Sequence, residues 1–229
     1  MGMVGEGMEG WAAAGKESEQ GQSQPGPLDH PIFVESVRRI RGWLGPTGLE
    51  GVEQEVLERL VHSSGDLAIA PDLRFSPGAC RLGMEALVAG AVILTDTAMA
   101  AAAVRPMAGR TFGNRIHSVL DSAPAQAPAG GTRTAAGMES ALRQHPGAVV
   151  LIGSAPTALE TLLAMPEALA PALVIGMPVG FVGVAESKRH LAASDLPQIR
   201  LEGSKGGAGL VAAAVNALLR RAWLDRGPV

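Results

Sequence analysis

Histidine is the side chain suited to proton transfer near neutral pH, and the chain has five, His30, His62, His117, His145 and His190, none in HxH, HxxxH or HExxH spacing. A local zinc motif is therefore not encoded. His62 is the one placed for proton chemistry. It ends a helical stretch in RLVHSSGD, away from the apolar stripe and beside a Ser-Ser-Gly turn. It reads either as a histidine favoured by the negative end of a helix or as a general acid. Asp96, in LTDTAM, reads either as a buried carboxylate at a ligand edge or as a helix N-cap. Arg74, in DLRFSPGA, either binds an anion or solvates a loop. Three glycine-bearing turns, GSAPTAL (153–159), GMPVGFVGVAESK (176–188) and GSKGGAG (203–209), each precede a helical stretch. Free N–H groups at such helix starts favour an anionic ligand. Lys188, Lys205 and Arg133 add positive charge nearby. Glycine turns of this kind also serve simply as tight turns. GSKGGAG does not match GxGxxG, no GxxxxGK[ST] run occurs, and no GxSxG elbow is present. Dinucleotide, P-loop and serine-hydrolase assignments thus have no motif behind them.

The elements that must position these groups follow from composition and period. The chain has 229 residues, 47% hydrophobic and 18% charged, with net charge −3. That is enough apolar matter for a core and no basic footprint for nucleic acid. The single Cys80 excludes an internal disulfide framework. Residues 1–28 are polar and Gly/Pro-rich and read as a disordered tail, with one domain over 29–225. The apolar window 86–104 is broken by Asp96 and reads as strand then helix, not as a membrane span. A cytoplasmic protein is the expectation. Helical patterns cover 32–44 and 50–63, and Ser76-Pro77 reads as the N-cap and first residue of a helix to about Ala89. Five short apolar runs then alternate with helices: 91–95, 115–119, 148–152, 172–176 and 198–201. The pattern predicts an α/β fold: doubly wound, with a mainly parallel five-stranded sheet, helices on both faces, and a flavodoxin-like or Rossmann-like arrangement. Ligands of such folds sit beyond the carboxyl ends of the strands, where the glycine turns fall.

At these same residues the sequence resembles the precorrin-8X methylmutase (cobalt-precorrin-8 methylmutase) family. The matching segments run in order: HPIFVES, RLVHSSGD, LRFSPGA, ALVAGAVILTDTAM, GGTRTAAGM, APTAL, GMPVGFVGVAESK and SKGGAG. The resemblance implies a homodimer of flavodoxin-like subunits and an isomerase that moves a methyl group from C11 to C12 of a corrinoid polycarboxylate. No cofactor or methyl donor is implied, because the migrating methyl is already on the substrate. It implies His62 as the acid that protonates the ring. It places Thr132, Arg133, Ser187, Lys188, Lys205, Gly206 and Gly207 near substrate, with Ser36 and Arg74 as further contacts. The chain departs from the family pattern at Ser154, Glu202, Ser204 and Ala208. The altered last turn also suggests a second reading, a non-catalytic corrinoid-binding or carrier protein.

Overall fold

The computed structural model describes residues 28–227. The tail read as disordered lies outside them, except for Leu28, which packs against the core. His30 opens α1 (Pro31–Leu44): its Nδ1 accepts the Ile32 N–H at 3.2 Å, and Pro31 takes the first helical position. α2 (Gly51–Ser64) buries Val56, Leu57, Leu60 and Val61 and stops at Gly65, whose left-handed φ of 67° lets its N–H return to the Val61 carbonyl. A 3₁₀ turn over Leu67–Asp72 leads to β1 (Leu73–Phe75). Then follow α3 (Ala79–Val88), β2 (Ile93–Thr95), α4 (Ala98–Arg110), β3 (Ile116–Ser118), α5 (Arg133–Gln144), β4 (Val149–Ile152), α6 (Pro156–Leu163), β5 (Leu173–Gly176), α7 (Val184–Ala192), β6 (Gln198–Leu201) and α8 (Ala208–Asp225).

All five apolar runs are strands, and they pair in parallel. The sheet nevertheless has six strands, not five, in the order β1-β6-β5-β4-β2-β3. The extra one, β1, pairs antiparallel with β6, with Leu73 opposite Leu201 and Phe75 opposite Ile199. Its three residues are too few for a period to show, so it exists by pairing rather than by pattern. Counted among themselves along the chain, the parallel strands stand in the order 2-1-3-4-5, and the winding reverses between β2 and β4.

Alternation along the strands splits the core in two. Val149 and Leu151 of β4 and Leu173 and Ile175 of β5 face one layer, with Leu57, Leu60, Val211 and Leu218 from α2 and α8. Val150, Ile152 and Val174 face the other, with Met138, Leu142, Leu159 and Leu191 from α5, α6 and α7. α1 packs against α2 and adds Ile40, its one buried residue, to the first layer. One local expectation is corrected and one open choice is decided. Ser76 does not cap α3, which begins at Ala79 after Gly78. Instead Ser76 Oγ accepts the Gln198 N–H at 2.9 Å while its own N–H donates to the Gln198 carbonyl, prolonging the β1–β6 pair. Asp96 does not cap α4; Thr97 does, accepting the Ala100 N–H.

Candidate functional site

His62 sits in the last turn of α2, exposed to solvent. Its Nδ1 lies 2.7 Å from the Ser36 hydroxyl on α1. The Phe33 ring meets the imidazole edge-on at 5.1 Å between centroids. Arg59 packs on the same Phe33, its guanidinium 4.7 Å from the ring centroid. Desolvation first, and then the Arg59 charge, hold the His62 pKa below the ordinary histidine value of 6.5. The α2 end faces the carboxyl edge of the sheet. Ser63 Oγ lies 4.0 Å from where a Cβ on Gly209 would stand, at the start of α8. Lys205, in the turn before α8, donates to Asp66 Oδ2 at 2.6 Å, tying that turn to the one that follows His62.

The turns after β4, β5 and β6 are knitted to one another. Val179 N–H donates to the Gly153 carbonyl, Gly180 N–H to the Ser204 carbonyl, and Gly207 N–H to the Met177 carbonyl. A Cβ at Gly206 would stand 2.0 Å from the Met177 oxygen, and one at Gly153 would stand 2.7 Å from Gly207 C. Gly207 itself has φ 127°, open to glycine but not to other residues without strain. Backbone packing at Gly153 and Gly206, and backbone conformation at Gly207, therefore demand these glycines, whatever ligand lies above them.

Two residues that the resemblance places near substrate lie beneath this layer. Lys188 is 2% exposed, and its ammonium donates to the carbonyls of Gly203 at 2.8 Å and Lys205 at 2.7 Å. Burial brings its pKa down to about 8. Ser187 is fully buried and donates to the Val184 carbonyl at 3.0 Å. Lys188 holds up the turn that carries Lys205, and Ser187 bonds back within α7, so neither points a polar group outward. Asp96 is likewise fully buried. Its Oδ2 accepts the N–H groups of Gly153 at 3.0 Å, Ser154 at 2.5 Å and Ala155 at 2.9 Å, filling with the chain's own carboxylate the anion nest where the winding reverses. Burial pushes its pKa up against the pull of those three bonds.

Thr132 caps α5, accepting the Ala135 N–H at 3.1 Å, and its hydroxyl lies 2.9 Å from that of Thr157 in the first turn of α6. Arg133 is exposed and donates to the Pro124 carbonyl at 2.9 Å, pinning the irregular stretch before α5. Arg74 is committed inside the chain, to the carbonyls of Pro71 and Leu73 and to Glu202 at 3.0 Å. Ser36 thus meets His62, and Lys188 supports Lys205. Thr132, Arg133 and Arg74 bond to residues outside this set. Phe33, Arg59 and Asp66 are new members. A cation three residues before His62 shares its helix face, and that spacing is the signal that would have found Arg59. Exposed apolar side chains also mark this edge: Phe181 at 93% and Val182 at 87% in the turn after β5, and Met99 at the start of α4. Among the described residues no group of three or more His, Cys, Asp or Glu could hold a metal ion, and no helix is long and apolar enough to cross a membrane.

Comparisons with known proteins point the same way. The family model for precorrin-8X methylmutase matches residues 31–221. The cobalt-precorrin-8 methylmutase of Synechocystis is 42% identical over 218 residues, which is 87% of this chain and 99% of that protein. The precorrin-8X methylmutase of Pseudomonas aeruginosa is 42% identical over 194 residues, covering 82% of this chain and 93% of the other. The crystal structure of the Thermus thermophilus precorrin-8X methylmutase superposes with a TM-score of 0.77 at 40% identity, covering 87% of this chain and all of that one. The motifs around His62, the glycine turns and the strand order thus lie within one shared framework, and the chain belongs to the precorrin-8X methylmutase family.

Proposed function

We propose that the protein is an isomerase of cobalamin biosynthesis that moves a methyl group from C11 to C12 of precorrin-8X or its cobalt form, with His62 as the acid. The observation that carries the role is the Ser36–His62 pair at the open end of α2. A bond at Nδ1 fixes the ring and leaves Nε2 for the substrate. A proton given from Nε2 to the macrocycle draws electron density from the conjugated system, so the methyl group shifts along it more easily. The same proton returns to the imidazole afterwards, and nothing is consumed. Exposed Phe181, Val182 and Met99 suit the flat apolar body of a corrinoid, and Lys205 with the helix starts beyond β4 and β6 suits its carboxylate rim. Thr132, Arg133 and Arg74 would stand farther out on that rim, while Lys188, Gly206 and Gly207 act by shaping the turn beneath it and Ser187 by bonding within α7. The parallel-strand order supports a flavodoxin-like subunit, and a homodimer is the expected assembly.

An absorbance time course with freshly generated precorrin-8X tests this reading in the wild type and in His62→Ala. A shift to the rearranged ring in the wild type alone supports it. Methyl transfer at wild-type rate in His62→Ala removes the acid role. Saturable binding of the product with no turnover in the wild type replaces the isomerase with a corrinoid carrier.

A further inference from the structure

The sheet face turned away from α2 carries a second group of cations. Ile199 and Leu201 of β6 face the layer that holds α2 and α8. Alternation along the strand therefore turns Arg200 toward α7, on the side of the sheet opposite His62. There a cleft of about 190 Å³ opens between α7 and β6. Ala185, Lys188, Arg189 and Ala192 form one wall, spaced along a single face of α7, and Arg200 and Glu202 form the other. Three cations thus face one acid. Arg189 reaches Glu186 of its own helix at 3.1 Å. Glu202 is shared: it pairs with Arg74 at 3.0 Å and stands 3.6 Å from Arg200, beyond hydrogen-bond reach. Arg200 is mostly buried, its side chain 16% exposed, and it is poorly served. Among the described residues its one hydrogen bond runs from Nη1 to Gln198 Oε1 at 3.2 Å, and its Nε is buried without an acceptor. A guanidinium taken out of water with fewer acceptors than donors carries a cost that a strong acceptor at its outer nitrogens would offset. Arg200 and Ala192 also line a second cleft, of about 440 Å³, so two openings lead to the same guanidinium. Lys188 ties the cleft to the carboxyl edge, since the ammonium in its wall donates to the carbonyls of Gly203 and Lys205.

We propose that the cleft between α7 and β6 binds a small oxyanion, a phosphate or a short carboxylic acid, through the outer nitrogens of Arg200 and Arg189, and that the bound anion steadies the 203–207 turn through Lys188. The planar fork of arginine suits two oxygens of either ion. The cleft is too small for a corrinoid and opens on the other face of the sheet from His62, so the site is separate from the substrate edge.

Thermal melts of the full chain, without corrinoid, test this with inorganic phosphate, succinate and sodium chloride at matched ionic strength. At about ten times its Kd, phosphate or succinate should raise Tm by about 3–5 °C over chloride. A rise with either ion supports the site, and the tighter of the two names the source of the oxyanion. Arg200→Gln should weaken the anion at least about tenfold and Arg200→Lys less, whereas Lys205→Gln, at the substrate edge, should leave the affinity within about twofold. Amides of residues 203–207 should exchange with solvent about tenfold more slowly when the anion is bound. No rise beyond chloride, an equal rise in Arg200→Gln, loss of the effect in Lys205→Gln, or binding with unchanged exchange at 203–207 each overturns the proposal. If Arg200→Gln does not fold, Arg189→Gln decides, because its side chain is exposed, and unchanged affinity there overturns the proposal. Measured without corrinoid, the outcome is independent of the isomerase reading, which turnover of precorrin-8X alone decides.

Discussion

The Ser36 hydroxyl does for His62 what a fixed third group does in any acid–base pair: it chooses the nitrogen that works. Ser36→Ala should leave the fold intact, since the pair lies at the surface, and should lower kcat about tenfold through loss of ring orientation. Steady-state rates beside thermal melts check both halves. The pH profile follows from the same surroundings. An acid must carry its proton, and desolvation and Arg59 hold the His62 pKa below 6.5. kcat/KM should therefore fall as pH rises through a value below the ordinary histidine range. In Arg59→Gln, with the neighbouring cation gone, the fall should move to higher pH. The sequence singles out His62 by its place at a helix end beside a flexible turn, and the family resemblance is what gives it the role of acid. Arg59 was not legible, because a cation on a polar helix face usually means a solvated face; its packing on the Phe33 ring beside His62 sets it apart. Lys188 reads in the sequence as a mobile charge for the same reason, and the structure shows it sealed under a turn.

At the scale of elements, the glycine turns and Asp96 carry the precision of the carboxyl edge. Gly206→Ala places a methyl 2.0 Å from the Met177 oxygen, and that oxygen is backbone, so the turn must move. Gly209→Ala meets only Ser63 Oγ at 4.0 Å, in ordinary contact. Urea unfolding should show Gly206→Ala destabilised by at least about 2 kcal/mol and Gly209→Ala within about 0.5 kcal/mol of wild type. Equal effects would mean that the turns pack less tightly than the backbone indicates. Asp96→Ala strands three N–H groups, one buried and two half-buried, and should cost about 3 kcal/mol, with Asp96→Asn costing less because its amide oxygen still accepts. The five parallel strands were legible as short branched-chain runs between turn signals. β1 was not, since its three residues become a strand only when β6 lies beside them. The Ser76 misreading has the same origin: its hydroxyl answers to Gln198, which is remote in sequence. Local pattern finds elements that carry their own period and misses those that tertiary pairing creates.

For the molecule as a whole, two buried groups set how stability responds to alkali. The Lys188 pKa falls from 10.5 to about 8 on folding, so above pH 8 the unfolded chain holds more protons and stability rises with pH. Burial pushes the Cys80 thiol from 9.0 up to about 12, so above pH 9 the folded chain holds more protons and stability falls. Unfolding free energy should climb by about 1 kcal/mol between pH 8 and 9 and then flatten. Cys80→Ala should let the climb continue toward pH 10.5, and denaturant midpoints across this range check it. The sheet's two outer strands have a different consequence. β1 and β3 are each three residues long; Arg74 lies in one, with Pro77 just past its end, and His117 lies in the other, with Arg115 just before it. Short, charged rims of this kind are poor templates for strand addition. A partner chain finds at most three residues to pair with on either rim, so association of two copies through helices and turns is favoured, and the sheet resists fibre-like growth.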